Sequence, residues 1–274
     1  MEGVVDLLLS SPAVKDFFVG MGTSAAKEVG QKAGSLIVQS LTARLTKVKS
    51  GYGKKELLTV EKKLNGYLRE DESTLISKNL WIQFLTFMFP EREVTLERLD
   101  PELCAYIADR IYIGLTFQSW LIEMGFRMEN TRYMATIQGR RSATPFYFDV
   151  RAVYEQEYID SVILLRVIDS RVTLPTEFIN ALPSICQDIN DSDLAYPAIR
   201  DHDILVLVRT GGSNLAQKGA TQATLRSVRG SFDSSLPRLL YLEENEFEEL
   251  VLMKITSRRK FLAERLRGLK PYRS

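Results

Sequence analysis

Histidine and cysteine are scarce in this chain of 274 residues, which holds one His and two Cys. The two thiols, Cys104 and Cys186, lie far apart in sequence, so a disulfide framework is not expected. A zinc site needs clustered Cys or His ligands, and no such cluster is present. Cys104 falls in the apolar run Leu103–Cys104–Ala105–Tyr106–Ile107 and reads as a buried thiol. His202 falls in the polar run Arg200–Asp201–His202–Asp203 and reads as a solvated residue rather than a general base. A serine hydrolase would need a nucleophile elbow with a paired His, and no Gly-x-Ser-x-Gly occurs. Long apolar runs are missing as well, so no membrane span is expected. Glu2 and Asp6 argue against a signal peptide, and the expected location is cytoplasmic.

Lysine is absent between Lys78 and Lys218, and every basic residue there other than His202 is arginine. The net charge of +1 hides a polarised distribution. From Arg44 to Lys63 there are seven basic residues against Glu56 and Glu61, and from Lys254 to Arg273 eight against Glu264. Residues 64–253 carry 18 basic and 28 acidic residues, so two basic blocks flank an acidic body. With 45% hydrophobic and 26% charged residues, the composition is that of a folded globular chain.

Residues 12–49 read as one long helix or two, with Pro12 in a first turn and Ser10 or Ser11 as its cap. Gly22, Ala26, Gly30 and Gly34 recur four apart, which on one helix would form a flat column of small residues. Glycine inside a helix costs about 1 kcal/mol relative to alanine. The column therefore implies packing within the chain, a self-association surface, or a broken helix. Residues 54–68 read as an amphipathic helix with Leu57, Leu58, Leu64 and Leu68 inward and Val60 off the apolar face. Residues 75–89 read as a third, aromatic-rich helix stopped by Pro90. These pieces suggest a helical N-terminal region over residues 1–98.

Asp100–Pro101–Glu102 opens a long helix that Gly125 closes. The periodicity then changes to strands at 131–138, 146–154, 162–168, 204–208 and 238–242, with a helix from Pro175 to about residue 189. Gly211–Gly212–Ser213–Asn214 matches neither GxGxxG nor a P-loop and reads as a strand-to-helix turn before a helix through about residue 225. A final helix starts near Glu246 and breaks near Thr256. Alternation of this kind predicts an α/β fold with helices on a central sheet over residues 99–253, followed by a basic helix or tail over 254–274.

The joints between these elements carry a resemblance. Gly125–Phe126 ends a helix, Gly139 and Phe148–Asp149–Val150–Arg151–Ala152 follow in a hairpin, and Arg171–Val172–Thr173 follows the next strand. Ile204 to Ala220, then Arg238 to Leu242 and Glu243 to Val251, complete the order. Taken together, about 150 residues resemble the restriction-endonuclease-like, PD-(D/E)XK, nuclease superfamily. The resemblance implies a restriction-endonuclease-like α/β core with a mixed central sheet flanked by helices. It also implies an Asp at position 149 and a Glu-x-Lys or Asp-x-Lys triplet on the next strand. In such a site two carboxylates hold a divalent metal that lowers the pKa of the attacking water.

This chain departs from that pattern. Arg166 stands where the second carboxylate should be, and Ile168 stands where the lysine should be. A cation there would repel the metal, and Asp149 becomes a relic or a turn-stabilising carboxylate. Asp169–Ser170–Arg171 imitates the triplet three residues later, but arginine stays protonated and cannot replace the lysine. No metal or other cofactor is expected, and the chain reads as an inactive relative of metal-dependent nucleases.

Two roles follow. The first is nucleic-acid binding, to DNA or RNA, without cleavage. Its candidate contacts are Lys47, Lys49, Lys54, Lys55, Arg140, Arg141, Arg258, Arg259, Lys260, Arg265 and Arg267. The competing view of these runs is a solvated face or a flexible tail. The second role is structural: a homo-oligomer that self-associates through Gly22, Ala26, Gly30 and Gly34.

Overall fold

Proline and serine set the first helix boundary. Ser11 Oγ accepts the Val14 N–H at 3.4 Å and Pro12 occupies the first turn of a helix, so an orphan donor is satisfied where the chain turns. The computed structural model describes residues 2–23, 27–47, 54–70, 99–128, 135–138, 145–154, 161–169, 204–211, 219–221, 223–224 and 238–265. The expected helices over 75–89 and 175–189 lie outside the described residues.

The chain divides into two compact units, one of Met1–Ser119 with Thr131–Tyr133, the other of Trp120–Asn130 with Met134–Ser274. The first unit holds α1 (Glu2–Ser10), α2 (Pro12–Gly22), α3 (Lys27–Lys47), α4 (Lys54–Tyr67) and most of α5 (Pro101–Glu123). Helix α1 was not foreseen from the sequence, and the stretch read as one helix or two is split between α2 and α3. Helices α1 to α4 pack on one another around Leu8, Phe17, Phe18, Ile37, Val38, Leu41, Val60 and Leu64, all buried. The buried stripe of α4 differs from expectation. Val60, Leu64 and Leu68 turn inward at a four-residue spacing, and Leu58 is 54% exposed. Leu58 and Val60 are 200° apart around a helix, so the stripe can include only one of them.

Helix α5 is bounded as its sequence dictates. Asp100 Oδ1 accepts the Leu103 N–H at 2.8 Å, and Pro101 takes the first helical position. At the far end Gly125 adopts φ 88°, and Phe126 N–H donates to Leu121 O at 2.9 Å while Gly125 N–H donates to Ile122 O at 3.0 Å. These two bonds form a Schellman motif, which the left-handed glycine allows.

The second unit is built on a mixed five-stranded sheet. Its strands are β1 (Arg127–Met128), β4 (Val150–Tyr154), β5 (Ser161–Asp169), β6 (Ile204–Thr210) and β7 (Arg238–Glu243), in that spatial order. β1/β4 and β4/β5 are antiparallel; β5/β6 and β6/β7 are parallel. β2 (Ala135–Gln138) and β3 (Pro145–Phe148) form a separate hairpin. The strand expected over 146–154 is thus two strands with a bend at Asp149. The protein is α/β: a helical N-terminal region, then a mixed sheet with helices.

One face of the sheet is apolar at its centre: Val150, Ala152, Ile163, Leu165, Val167, Val206, Val208, Leu240 and Leu242 are all buried. Helix α6 (Glu244–Leu252) packs on β6 and β7 and buries Phe247, Leu250 and Val251. Helix α7 (Ile255–Arg265) follows after a break at Met253–Lys254. Residues 255–265 are therefore helical rather than a loose tail.

Candidate functional site

Asp149 occupies the bend where the chain leaves β3 for β4. Its N–H donates to Leu165 O at 2.7 Å, and its Oδ2 accepts the Val167 N–H at 2.7 Å. The β4–β5 ladder ends at the Val150–Leu165 pair because β3 turns away to pair with β2. The carboxylate supplies the acceptor that the next rung would have supplied. A fully buried carboxylate needs such a partner, and a main-chain N–H is a good one. Val167 lies between Arg166 and Ile168, so the three positions singled out by the sequence do come together. At their meeting point, one Asp149 oxygen holds the sheet.

The other face of the sheet carries charge. Register pairs Arg151 with Leu164, Arg166 with Leu207, Ile168 with Arg209, and Arg209 with Glu243. Paired residues on adjacent strands share a face, and so do residues two apart. Arg151, Arg166 and Arg209 therefore form a diagonal across three strands, alongside Ile168, Tyr241 and Glu243. Arg166 is 7% exposed and Arg209 1%. Arg209 Nη1 meets Glu243 Oε1 at 3.5 Å, and Tyr241 Oη donates to the same oxygen at 3.0 Å. Burial pushes the Tyr241 hydroxyl well above its ordinary pKa, and the Glu243 carboxylate adds to the effect. Sequence reading found Arg166 and missed Arg151, Arg209, Tyr241 and Glu243. The available signal was the absence of lysine from residues 79–217, since guanidinium is less strongly hydrated and tolerates interior pairing better than ammonium.

Among the described residues no three His, Cys, Asp or Glu side chains group as metal ligands. Asp169 ends β5, and the rest of its imitation triplet lies outside the described residues, as do His202 and Cys186. Cys104 is buried, and desolvation pushes its thiol up to about 11, with Asp100 adding to the shift.

The basic candidates separate by burial. Lys54 and Lys55 are exposed on α4, and Arg259 and Lys260 are exposed on α7. Arg258 is 2% exposed and faces inward. Its guanidinium lies 4.7 Å from the centre of the Trp120 ring and 3.3 Å from Glu123 Oε2, and Trp120 in turn stacks on Phe247 at 5.2 Å. Burial lowers the Arg258 pKa, and Glu123 opposes that shift. Arg258 is therefore an anchor for α7, not a surface contact for a ligand. Arg259 donates to Glu123 O at 2.7 Å from the exposed side. Lys47 ends α3 and Arg265 ends α7. Lys49, Arg140, Arg141 and Arg267 lie outside the described residues.

The small residues also separate. Gly22 ends α2, while Gly30 and Gly34 lie in α3, and Ala26 is outside the described residues. A methyl group on Gly22 would run into the Leu68 carbonyl, and one on Gly34 into the Leu68 side chain. Gly22 and Gly34 are spent on packing α4 within the chain. They do not offer a surface to a second copy, and the reading of this column as a self-association face is corrected at these two positions.

No protein-family model, no curated protein and no solved structure matches this chain. No helix among the described residues is long and apolar enough to cross a membrane.

Proposed function

We propose that this protein binds nucleic acid through its phosphate backbone and does not cleave it. The carrying observation is the docking of α7. Arg258, buried against Trp120 and Glu123, fixes the helix so that Arg259 and Lys260 stay outside. A fixed cationic surface loses less conformational freedom on binding phosphates than a loose tail does. Lys54 and Lys55 on α4 add a second exposed pair. The replacement of a nuclease-like carboxylate and lysine by Arg166 and Ile168 supports the lack of cleavage, as does the engagement of an Asp149 oxygen by Val167 N–H. On this reading the sheet is an inactive relative of the PD-(D/E)XK core.

Fluorescence anisotropy with a mixed-sequence duplex tests it. Binding should weaken with salt, with log K falling by about 0.9 per log unit of salt for each phosphate contact. Lys260→Glu and the pair Lys54→Glu/Lys55→Glu should weaken all sequences alike, and Mg²⁺ or Mn²⁺ should yield no product. No binding at low salt, or a cleaved duplex, would sink the proposal.

A further inference from the structure

The aliphatic tip of the α6–α7 elbow is a surface that the nucleic-acid reading leaves unused, although Arg259 on the arm beside it is shared with that reading. Leu252, the last residue of α6, is 58% exposed, and Ile255, the first of α7, is 46% exposed. The two flank the break at Met253–Lys254 and leave an aliphatic tip in water. The arms on either side have opposite charge. Helix α6 exposes Glu246 and Glu249, and Leu252 lies one turn from Glu249 on the outward side. Helix α7 exposes Arg259 one turn from Ile255, with Lys254 exposed at the break. An acidic arm, an apolar elbow and a basic arm occur in succession.

Such an arrangement is self-complementary. A two-fold axis through the elbow would lay the acidic arm of one copy along the basic arm of the other and close the Leu252 and Ile255 side chains between them. An isologous contact requires this property of a patch. We infer that the α6–α7 elbow is a homodimer contact, in which α6 of one protomer meets α7 of its partner around Leu252 and Ile255. The inference stands without the nucleic-acid reading, and where both hold the partner's acidic arm and nucleic acid compete for Arg259. The charge complementarity selects a second copy over an unrelated acidic partner, because the acidic arm would repel that partner. The patch is small, so the dimer is expected to be concentration-dependent.

Sedimentation velocity of the full chain, without nucleic acid and across a hundredfold range of concentration, tests the inference. The wild type should shift from monomer to dimer. Leu252→Gln with Ile255→Gln leaves every charge in place and should move the midpoint at least tenfold higher. Glu249→Lys should do so independently, and the effect should shrink as salt is raised. Circular dichroism of each variant checks that the fold is kept. A wild type that stays monomeric throughout overturns the inference, and so does a dimer that all three substitutions leave intact. Association only after duplex DNA is added overturns it too. Anisotropy of the Leu252→Gln/Ile255→Gln variant with DNA separates the two proposals, since monomer binding should persist when the dimer fails.

Discussion

The Asp149 carboxylate accepts the Val167 main-chain N–H at 2.7 Å, so a side chain completes a ladder that the backbone abandons. At this bend the chain leaves the β2–β3 hairpin and enters the five-stranded sheet. Asp149→Ala should cost about 2–3 kcal/mol, because the Val167 donor is left buried without its acceptor. Asp149→Asn keeps an acceptor oxygen and should cost less than half as much. Urea denaturation of the two variants checks the difference. A larger loss for Asn than for Ala would show that charge, and not the acceptor, is what the site needs.

Arg258 and Lys260 lie two residues apart on α7 and should behave oppositely. Arg258→Met removes an ion pair and a cation–π contact from a buried position and should cost about 1–3 kcal/mol. Lys260→Glu is exposed and should leave the melting temperature within experimental error. Thermal melts distinguish them. For this reason Arg258 does not belong in a charge-reversal test of nucleic-acid binding, where a loss of binding would report unfolding.

Three glycines give a graded series. Gly66 has open space around a new methyl group, so Gly66→Ala inside α4 should stabilise by about 0.5–1 kcal/mol. Gly34→Ala presses on the Leu68 side chain, which can shift, and should be the milder of the two losses. Gly22→Ala meets the Leu68 backbone, which cannot, and should cost about 1–3 kcal/mol or more. Chemical denaturation ranks the three, and equal effects at all of them would refute close packing of α4 at Leu68.

Cys104 sets an alkaline limit on stability. Its thiol is raised from 9.0 to about 11 in the folded chain. Between these values the unfolded thiol has lost its proton and the folded one keeps it, so the unfolded state binds fewer protons and stability falls as pH rises. The contribution is complete below pH 9 and lost progressively up to pH 11. Cys104→Ala should flatten the part of the stability–pH curve due to this group. In a Cys186→Ser background, the remaining thiol should react with a disulfide reagent only as fast as the protein opens.

The pair of half-buried Arg44 and buried Asp109 joins α3 to α5 within the first unit, with Arg44 Nη2 donating to Asp109 Oδ2 at 2.8 Å. Asp109→Ala should cost about 1.5–3 kcal/mol, because it removes charge-assisted hydrogen bonds from a half-buried guanidinium. Replacing both partners with apolar residues should recover most of that loss, and a double-mutant cycle measures the difference.

Local chemistry made much of this protein legible in its sequence. Ser11–Pro12, Asp100–Pro101 and Gly125 fix helix ends through bonds within a few residues, and each end falls where the sequence places it. The β-branched runs at 162–168 and 204–208 announce buried strands, and the α/β order follows from their alternation with helices. What periodicity encodes is which side of an element is apolar. It does not encode what that side meets. Only the tertiary structure decides that Leu68 fills the space left by Gly22 and Gly34, that Val60 and not Leu58 turns inward, and that Arg258 is an anchor while Arg259 and Lys260 stay in water. The same holds for Arg151, Arg166 and Arg209, which are separated by 15 and 43 residues in the chain yet share one face of the sheet. Strand register brings them together, and register is set by hydrogen bonds between segments distant in sequence, which no local pattern specifies.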